Sequence, residues 1–211
     1  MNVTTPAKIG VMVSSQSRGT NFQAILDAID AGELNARVAL LISTNEFHGA
    51  IARARDANVR TLILPPGEMT REEWDHRAAN ALYEEGVSVV ALAGYLRYVT
   101  SVLLEAYPGR ILNVHPSLLP SFGGQGMYGN RVHRAVLESG CKVSGCTVHL
   151  VDERYDTGPI MAQAAVQVLD DDTPDSLGLR VQVEEHRLYP RCIEEILYDK
   201  VRIEGRRVRK I

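Results

Sequence analysis

Short apolar runs rich in β-branched residues alternate along this chain with longer stretches in which apolar positions recur every three to four residues. The runs at 8–13, 37–43, 60–64, 87–92 and 110–115 read as strands. The fourth, Val-Ser-Val-Val-Ala-Leu, lacks the polar alternation of a half-exposed strand, which suits a strand covered on both faces. Helical periodicity fills the intervals at 21–31, 49–57, 71–85 and 102–107. Thr70 stands where it can cap the third helix, with Glu73 at capping-box spacing. Strand and helix in alternation imply a mainly parallel sheet.

Beyond Cys141 the texture changes. Two extended runs, 143–151 and 159–168, are joined by a short turn-rich link, as in an antiparallel pair. A helix opens near His133, and a last long helix covers about 175–199, with Pro190 inside it as an expected kink. The expected architecture is one α/β domain, a Rossmann-like, mainly parallel sheet flanked by helices with an antiparallel C-terminal part. Residues 1–7 are expected to be a flexible N-terminus, 8–200 the domain and 201–211 a basic tail. In that tail Val201, Ile203 and Val208 interleave with Arg202, Arg206, Arg207, Arg209 and Lys210, as in an exposed terminal strand.

The strand at 110–115 ends in a histidine followed at once by proline. Proline cannot donate to a sheet ladder, so the strand stops at the carboxyl end where open α/β sheets place their ligands. Asn113 and His115 are two residues apart and share one face, while Leu112 and Val114 share the other. An amide donor and a titratable ring then point into one space. Asp156 precedes Thr-Gly-Pro, a tight turn that can aim its carboxylate inward, although an Asx-type turn accounts for it as well. A carboxylate beside an imidazole raises the pKa of the ring and lowers its own. After the first strand, the polar segment 14–21 feeds a helix amino terminus whose free N–H groups suit a phosphate. A plain turn capped by Thr20 or Asn21, with Gly19 relieving strain, fits the same residues. The loop is neither a Walker A motif nor a dinucleotide fingerprint.

Composition narrows the classes. The 211 residues are 45% hydrophobic and 23% charged, enough for one sizeable core, and the net charge of -3 argues against a nucleic-acid partner. There is no apolar run of membrane-spanning length and no signal peptide, so a cytoplasmic protein is expected. Cys141, Cys146 and Cys192 lack metal-site or disulfide spacing and read as packed thiols.

The segments NVHPSLLP at 113–120, DTGP at 156–159, SRGTN at 17–21 and RVQVEEHRLYP at 180–190 together resemble the folate-dependent formyltransferases. The likeness runs over about residues 8–199 and is nearest to the small branch that acts on glycinamide ribonucleotide (GAR). It implies transfer of a formyl group from 10-formyltetrahydrofolate, as co-substrate, to the amine of GAR in purine synthesis. Deformylases and formyltransferases of other amines, such as nucleotide sugars, share part of the pattern. Those relatives typically carry a further domain, which is not expected in this chain.

The resemblance implies Asn113, His115 and Asp156 as the catalytic set. Asn113 and His115 would stabilise the developing oxyanion, and Asp156 would hold His115 protonated and pass a proton from the amine to the departing folate nitrogen. It implies GAR contacts at Arg18, Gly19, Thr20, Asn21, Pro116, Ser117, Gln182 and Glu185. It implies folate contacts at Arg71, Leu96, Arg97, Tyr98, Val99 and Asp152, besides Asn113 and Asp156, with His149 in support. For Arg71 a solvated surface arginine fits equally. The implied partners are small molecules only, with no metal, nucleic acid or membrane, and a homodimer is left open. Two departures stand out: the phosphate loop lacks the family's first glycine, and 122–130 is unusually glycine-rich, as in a mobile lid or a disordered loop.

Overall fold

A computed structural model describes residues 6–14, 18–46 and 49–211. One nine-stranded sheet organises these residues. Strands β1 (Ala7–Val13), β2 (Ala36–Ser43), β3 (Thr61–Ile63), β4 (Val89–Leu92) and β5 (Ile111–His115) are mutually parallel, in the order β3-β2-β1-β4-β5. Strands β6 (Val143–Leu150) and β7 (Ile160–Gln167) then continue it antiparallel. The basic tail folds into a hairpin, β8 (Val201–Glu204) and β9 (Arg207–Lys210), whose second strand meets β7 at Ile160 and Arg207. It therefore lies at the end of the same sheet.

The side-chain alternation of the strands builds two cores. Ile9, Val11, Val13, Val89, Ala91, Leu112 and Val114 face one way. They pack against helices α1 (Thr20–Asp30), α2 (Gly49–Asp56), α5 (Asn130–Glu138) and α6 (Pro174–Leu197). Met12, Leu40, Ile42, Val90, Leu92 and Ile111 face the other way, against α3 (Arg71–Glu84) and α4 (Ser101–Ala106). Burial on both faces explains why these strands read as unbroken apolar runs.

Caps decide where helices begin. Thr70 accepts from the Glu73 N–H at 3.2 Å, and Glu73 accepts from the Thr70 N–H at 2.8 Å, closing the expected box. The expected cap of α1 by Thr20 or Asn21 does not form. Gly19 occupies that position at φ 75, with no side-chain cap bond. A Cβ there would lie 2.7 Å from the Ala50 Cα, so both the backbone angle and the approach of α2 require glycine. Helix α6 continues for 24 residues through Pro190, and its packing against the sheet offsets the missing hydrogen bond. Cys146 and Cys192 are buried free thiols and Cys141 is half-buried. Among the described residues no helix is long and apolar enough to cross a membrane.

The strand order reverses between β1 and β4, which opens a crevice at their carboxyl ends. Ser14 ties its two sides: its N–H and Oγ both donate to the Gly94 carbonyl, and its Oγ accepts from the Leu96 N–H. Residues 15–17 of the atypical loop and the first five residues of the expected flexible terminus lie outside the described residues.

Candidate active site

The crevice holds a cleft of about 400 Å³ that the sequence motifs line from four directions. Arg18, Gly19, Thr20 and Asn21 close one end, joined by Gln182 and Glu185 of α6. Asn113, His115 and Pro116 form its floor, and Gly124 to Asn130 and Asp156 form the facing wall. A smaller lobe of about 50 Å³ opens beside it, lined by Arg97, Tyr98, Val99, Asp152 and His149, among others. Tyr95, Asn113, Tyr155 and Asp156 border both lobes. Two molecules seated in the two lobes would meet over Asn113 and Asp156.

The period of β5 delivers Asn113 and His115 to this junction, and β6 delivers His149 by pairing it with Asn113. Asp156 arrives from the β6–β7 turn in the left-handed region, at φ 56, which aspartate tolerates better than most side chains. Its Oδ2 lies 3.5 Å from His115 Nδ1 and accepts from the Gly124 N–H at 2.9 Å. Its Oδ1 lies 3.6 Å from His149 Nε2. The Asn113 amide donates to that same Nε2 at 3.1 Å. His115 Nε2 donates to the Phe122 carbonyl at 2.8 Å, so both ring nitrogens of His115 face partners. The glycine-rich segment is thus held against His115 and Asp156 through Phe122 and Gly124.

Electrostatics revise one expectation. Burial lowers the pKa of His115 below its ordinary value and outweighs the pull of Asp156, so the free protein favours a neutral ring rather than a held imidazolium. Burial pushes the Asp156 carboxyl up, but the His149 and His115 rings, when protonated, and the Gly124 N–H outweigh it and set the group below its ordinary value. At the other end, Glu185 is buried, accepts from Asn21 Nδ2 at 3.0 Å, and is pushed up to about 7 by desolvation. Asn21 Oδ1 is buried with no hydrogen-bond partner, and Gln182 Nε2 donates to Thr20 Oγ1 at 2.9 Å. These polar groups gather at the amino terminus of α1, where a helix carries the positive end of its dipole.

One expected contact is corrected, and one alternative is removed. Ser117 does not reach the cleft: it is fully buried, its Oγ donates to the Ser121 carbonyl at 2.6 Å, and its carbonyl accepts from Thr147 Oγ1 at 2.6 Å. Proline at 116 turns the chain inward immediately after the strand. Arg71 is not a solvated arginine, and its Nη1 is buried without a hydrogen-bond partner. Its Nε donates to the Tyr98 carbonyl at 2.7 Å, its Nη2 to the same carbonyl and to Tyr95 Oη at 2.8 Å, and its guanidinium stacks 5.1 Å from the Trp74 ring. It braces the wall made by residues 95–98 from behind. Leu96 lines the larger lobe, whereas Asp152 in the smaller one accepts from Thr157 Oγ1 at 2.7 Å and the Arg154 N–H at 3.1 Å.

The sequence motifs left Tyr155, which borders both lobes, and His133 and Met127, which line the larger one, without a role. Tyr189 was likewise unassigned: its hydroxyl lies 2.9 Å from the carbonyls of both Leu92 and Leu112, holding α6 to the strand ends beside Asn113. Its place in RVQVEEHRLYP was the available signal.

A formyl transferase family model matches residues 7–193. The chain belongs to the formyl transferase family. It is 45% identical to glycinamide ribonucleotide transformylase 1 from Symbiobacterium toebii, with a TM-score of 0.91 over 98% of this chain and 94% of that one. Phosphoribosylglycinamide formyltransferase from Bacillus subtilis is 36% identical over 88% of this chain and 93% of its own length. The chloroplastic phosphoribosylglycinamide formyltransferase of Arabidopsis thaliana is 42% identical over 92% of this chain, which spans 67% of that protein. The chain spans only 14% of the trifunctional purine biosynthetic protein adenosine-3 of Drosophila melanogaster, which it also matches.

Proposed function

We propose that this formyl transferase carries the formyl group of 10-formyltetrahydrofolate to the amine of glycinamide ribonucleotide, a step of purine synthesis. The observation that carries the reading is the junction of two lobes over Asn113 and Asp156, one lobe ending at the amino terminus of α1. GAR fits the larger lobe, with phosphate at Arg18 to Asn21 and ribose hydroxyls at Gln182, Glu185 and the unpartnered Asn21 Oδ1. The folate ring fits the smaller lobe against Arg97, Tyr98 and Val99.

In the reaction the amine nitrogen attacks the formyl carbon, a C–N bond forms, and the formyl oxygen takes up negative charge. Asn113 Nδ2 donates to that oxygen. His115 joins it once substrate draws its Nε2–H from the Phe122 carbonyl and Nδ1 takes up a proton from solvent, which Asp156 Oδ2 at 3.5 Å stabilises. The bond from the carbon to the folate nitrogen then breaks. The proton lost by the amine passes by way of Asp156 and a water to that nitrogen. The reading places the enzyme in the cytoplasm with small-molecule substrates alone.

The test is a rate assay with purified protein, GAR and 10-formyltetrahydrofolate. Formylated GAR and tetrahydrofolate in equal amounts are expected. Formate release at the same rate without GAR would replace transfer by hydrolysis.

A further inference from the structure

His149 is 2% exposed and sits behind the reacting groups, touching Asn113 and Asp156 through one nitrogen. Its other nitrogen fixes the chemistry of the first. Nδ1 lies 2.8 Å from the Leu150 carbonyl, which only accepts, so Nδ1 carries a proton. In the neutral ring Nε2 is then a lone-pair acceptor. It meets Asn113 Nδ2 at 3.1 Å, within hydrogen-bond range, and Asp156 Oδ1 at 3.6 Å, outside it. The bond to the Asn113 amide is the one made.

We propose that His149 is a positioning residue: its Nδ1–H tautomer presents Nε2 to Asn113 and so selects which way round the Asn113 amide stands. An asparagine amide has two orientations of nearly equal shape. With Nε2 as acceptor, only the orientation that turns Nδ2 toward His149 is satisfied, and its second N–H is left for the cleft, where the oxyanion forms. With a proton on Nε2, the amide would have to reverse and present Oδ1 to the ring. The titratable groups facing His149 are Asp156, from the β6–β7 turn, and His115, on β5 beside Asn113. The sequence places the three elements together because β6 runs antiparallel to β5 with Asn113 opposite His149. This inference rests on the proposed formyl transfer for its kinetic readout, and has a second readout that does not.

The spectroscopic test is the imidazole ¹⁵N shifts of His149 in the wild-type protein near pH 7.5. A protonated Nδ1 and a pyridine-like Nε2 are expected; an imidazolium or an Nε2–H tautomer would overturn the proposal. The kinetic test uses H149N, which keeps a donor for Leu150 but cannot reach Asn113, and H149Q, which returns an acceptor near the Nε2 position. H149N should lose about 10- to 100-fold in kcat, less than the roughly 100- to 1,000-fold cost of removing an oxyanion donor outright, with both KM values held within about twofold. H149Q should recover a large part of that loss. In an N113A background the H149N effect should vanish, because the residue it positions is gone. A full H149N effect there, or one that vanishes only in a D156N background, would overturn the proposal. If wild type makes no formylated GAR, the function reading fails while the ¹⁵N result still decides the tautomer.

Discussion

Glu185 is a carboxyl group in a buried, nearly uncharged environment, and replacing it by glutamine should change how stability depends on pH. Desolvation raises its pKa from 4.5 to about 7, with only the Asn21 amide bond opposing. Unfolding restores the ordinary value, so above that value the folded state holds a proton the unfolded state has released. The stabilising contribution is therefore complete below about pH 4.5 and is lost as pH rises through about 7. The full loss is about 3 kcal/mol, at 1.36 kcal/mol per pKa unit. Glutamine is the neutral isostere, keeps an acceptor for Asn21, and cannot ionise. E185Q should match wild type near pH 4.5 and exceed it by up to about 3 kcal/mol at pH 8. For a chain of this size that corresponds to roughly 6 to 12 °C in Tm. Urea unfolding of both proteins at several pH values from 4.5 to 8, without ligand, measures the difference. Parallel pH profiles for the two proteins would refute the argument, since they would mean that Glu185 titrates normally in the fold.

D156N should fold normally, because its remaining oxygen still accepts from Gly124, yet lose about 100-fold or more in kcat as the proton path closes; near-normal turnover would remove Asp156 from the mechanism. G19A should cost about 1 to 3 kcal/mol of stability and raise the KM for GAR, because the new Cβ meets Ala50 at 2.7 Å and φ 75 is strained; denaturation together with steady-state kinetics checks both. S117A should leave the KM for GAR unchanged and lower stability by about 1 to 3 kcal/mol, through the Ser121 carbonyl it strands; a large rise in that KM would restore Ser117 to the substrate site.

The strands were legible because most are buried on both faces and so must be apolar throughout, and the α3 box because capping is local chemistry. Asn113, His115 and Asp156 were legible through strand period, a terminating proline and motif. Misreadings arose where distant parts of the chain decide. Gly19 rather than Thr20 or Asn21 starts α1 because α2 presses on it. Ser117 turns inward to Ser121 and Thr147, and Arg71 is held by Tyr95 and Tyr98 rather than left in solvent. That the ligand-free protein favours a neutral His115 was not legible, because spacing reports neighbours but not desolvation.

By itself, then, the sequence determined which residues form the sheet, which polar residues gather at its carboxyl edge and which family the chain belongs to, since these follow from period, propensity and motif. Only the tertiary structure decided what each polar side chain is bonded to, how dry its surroundings are, and that a histidine on β6 stands behind the asparagine on β5. Hydrogen-bond partners and desolvation are set by packing between segments far apart in the chain, and no local pattern encodes them.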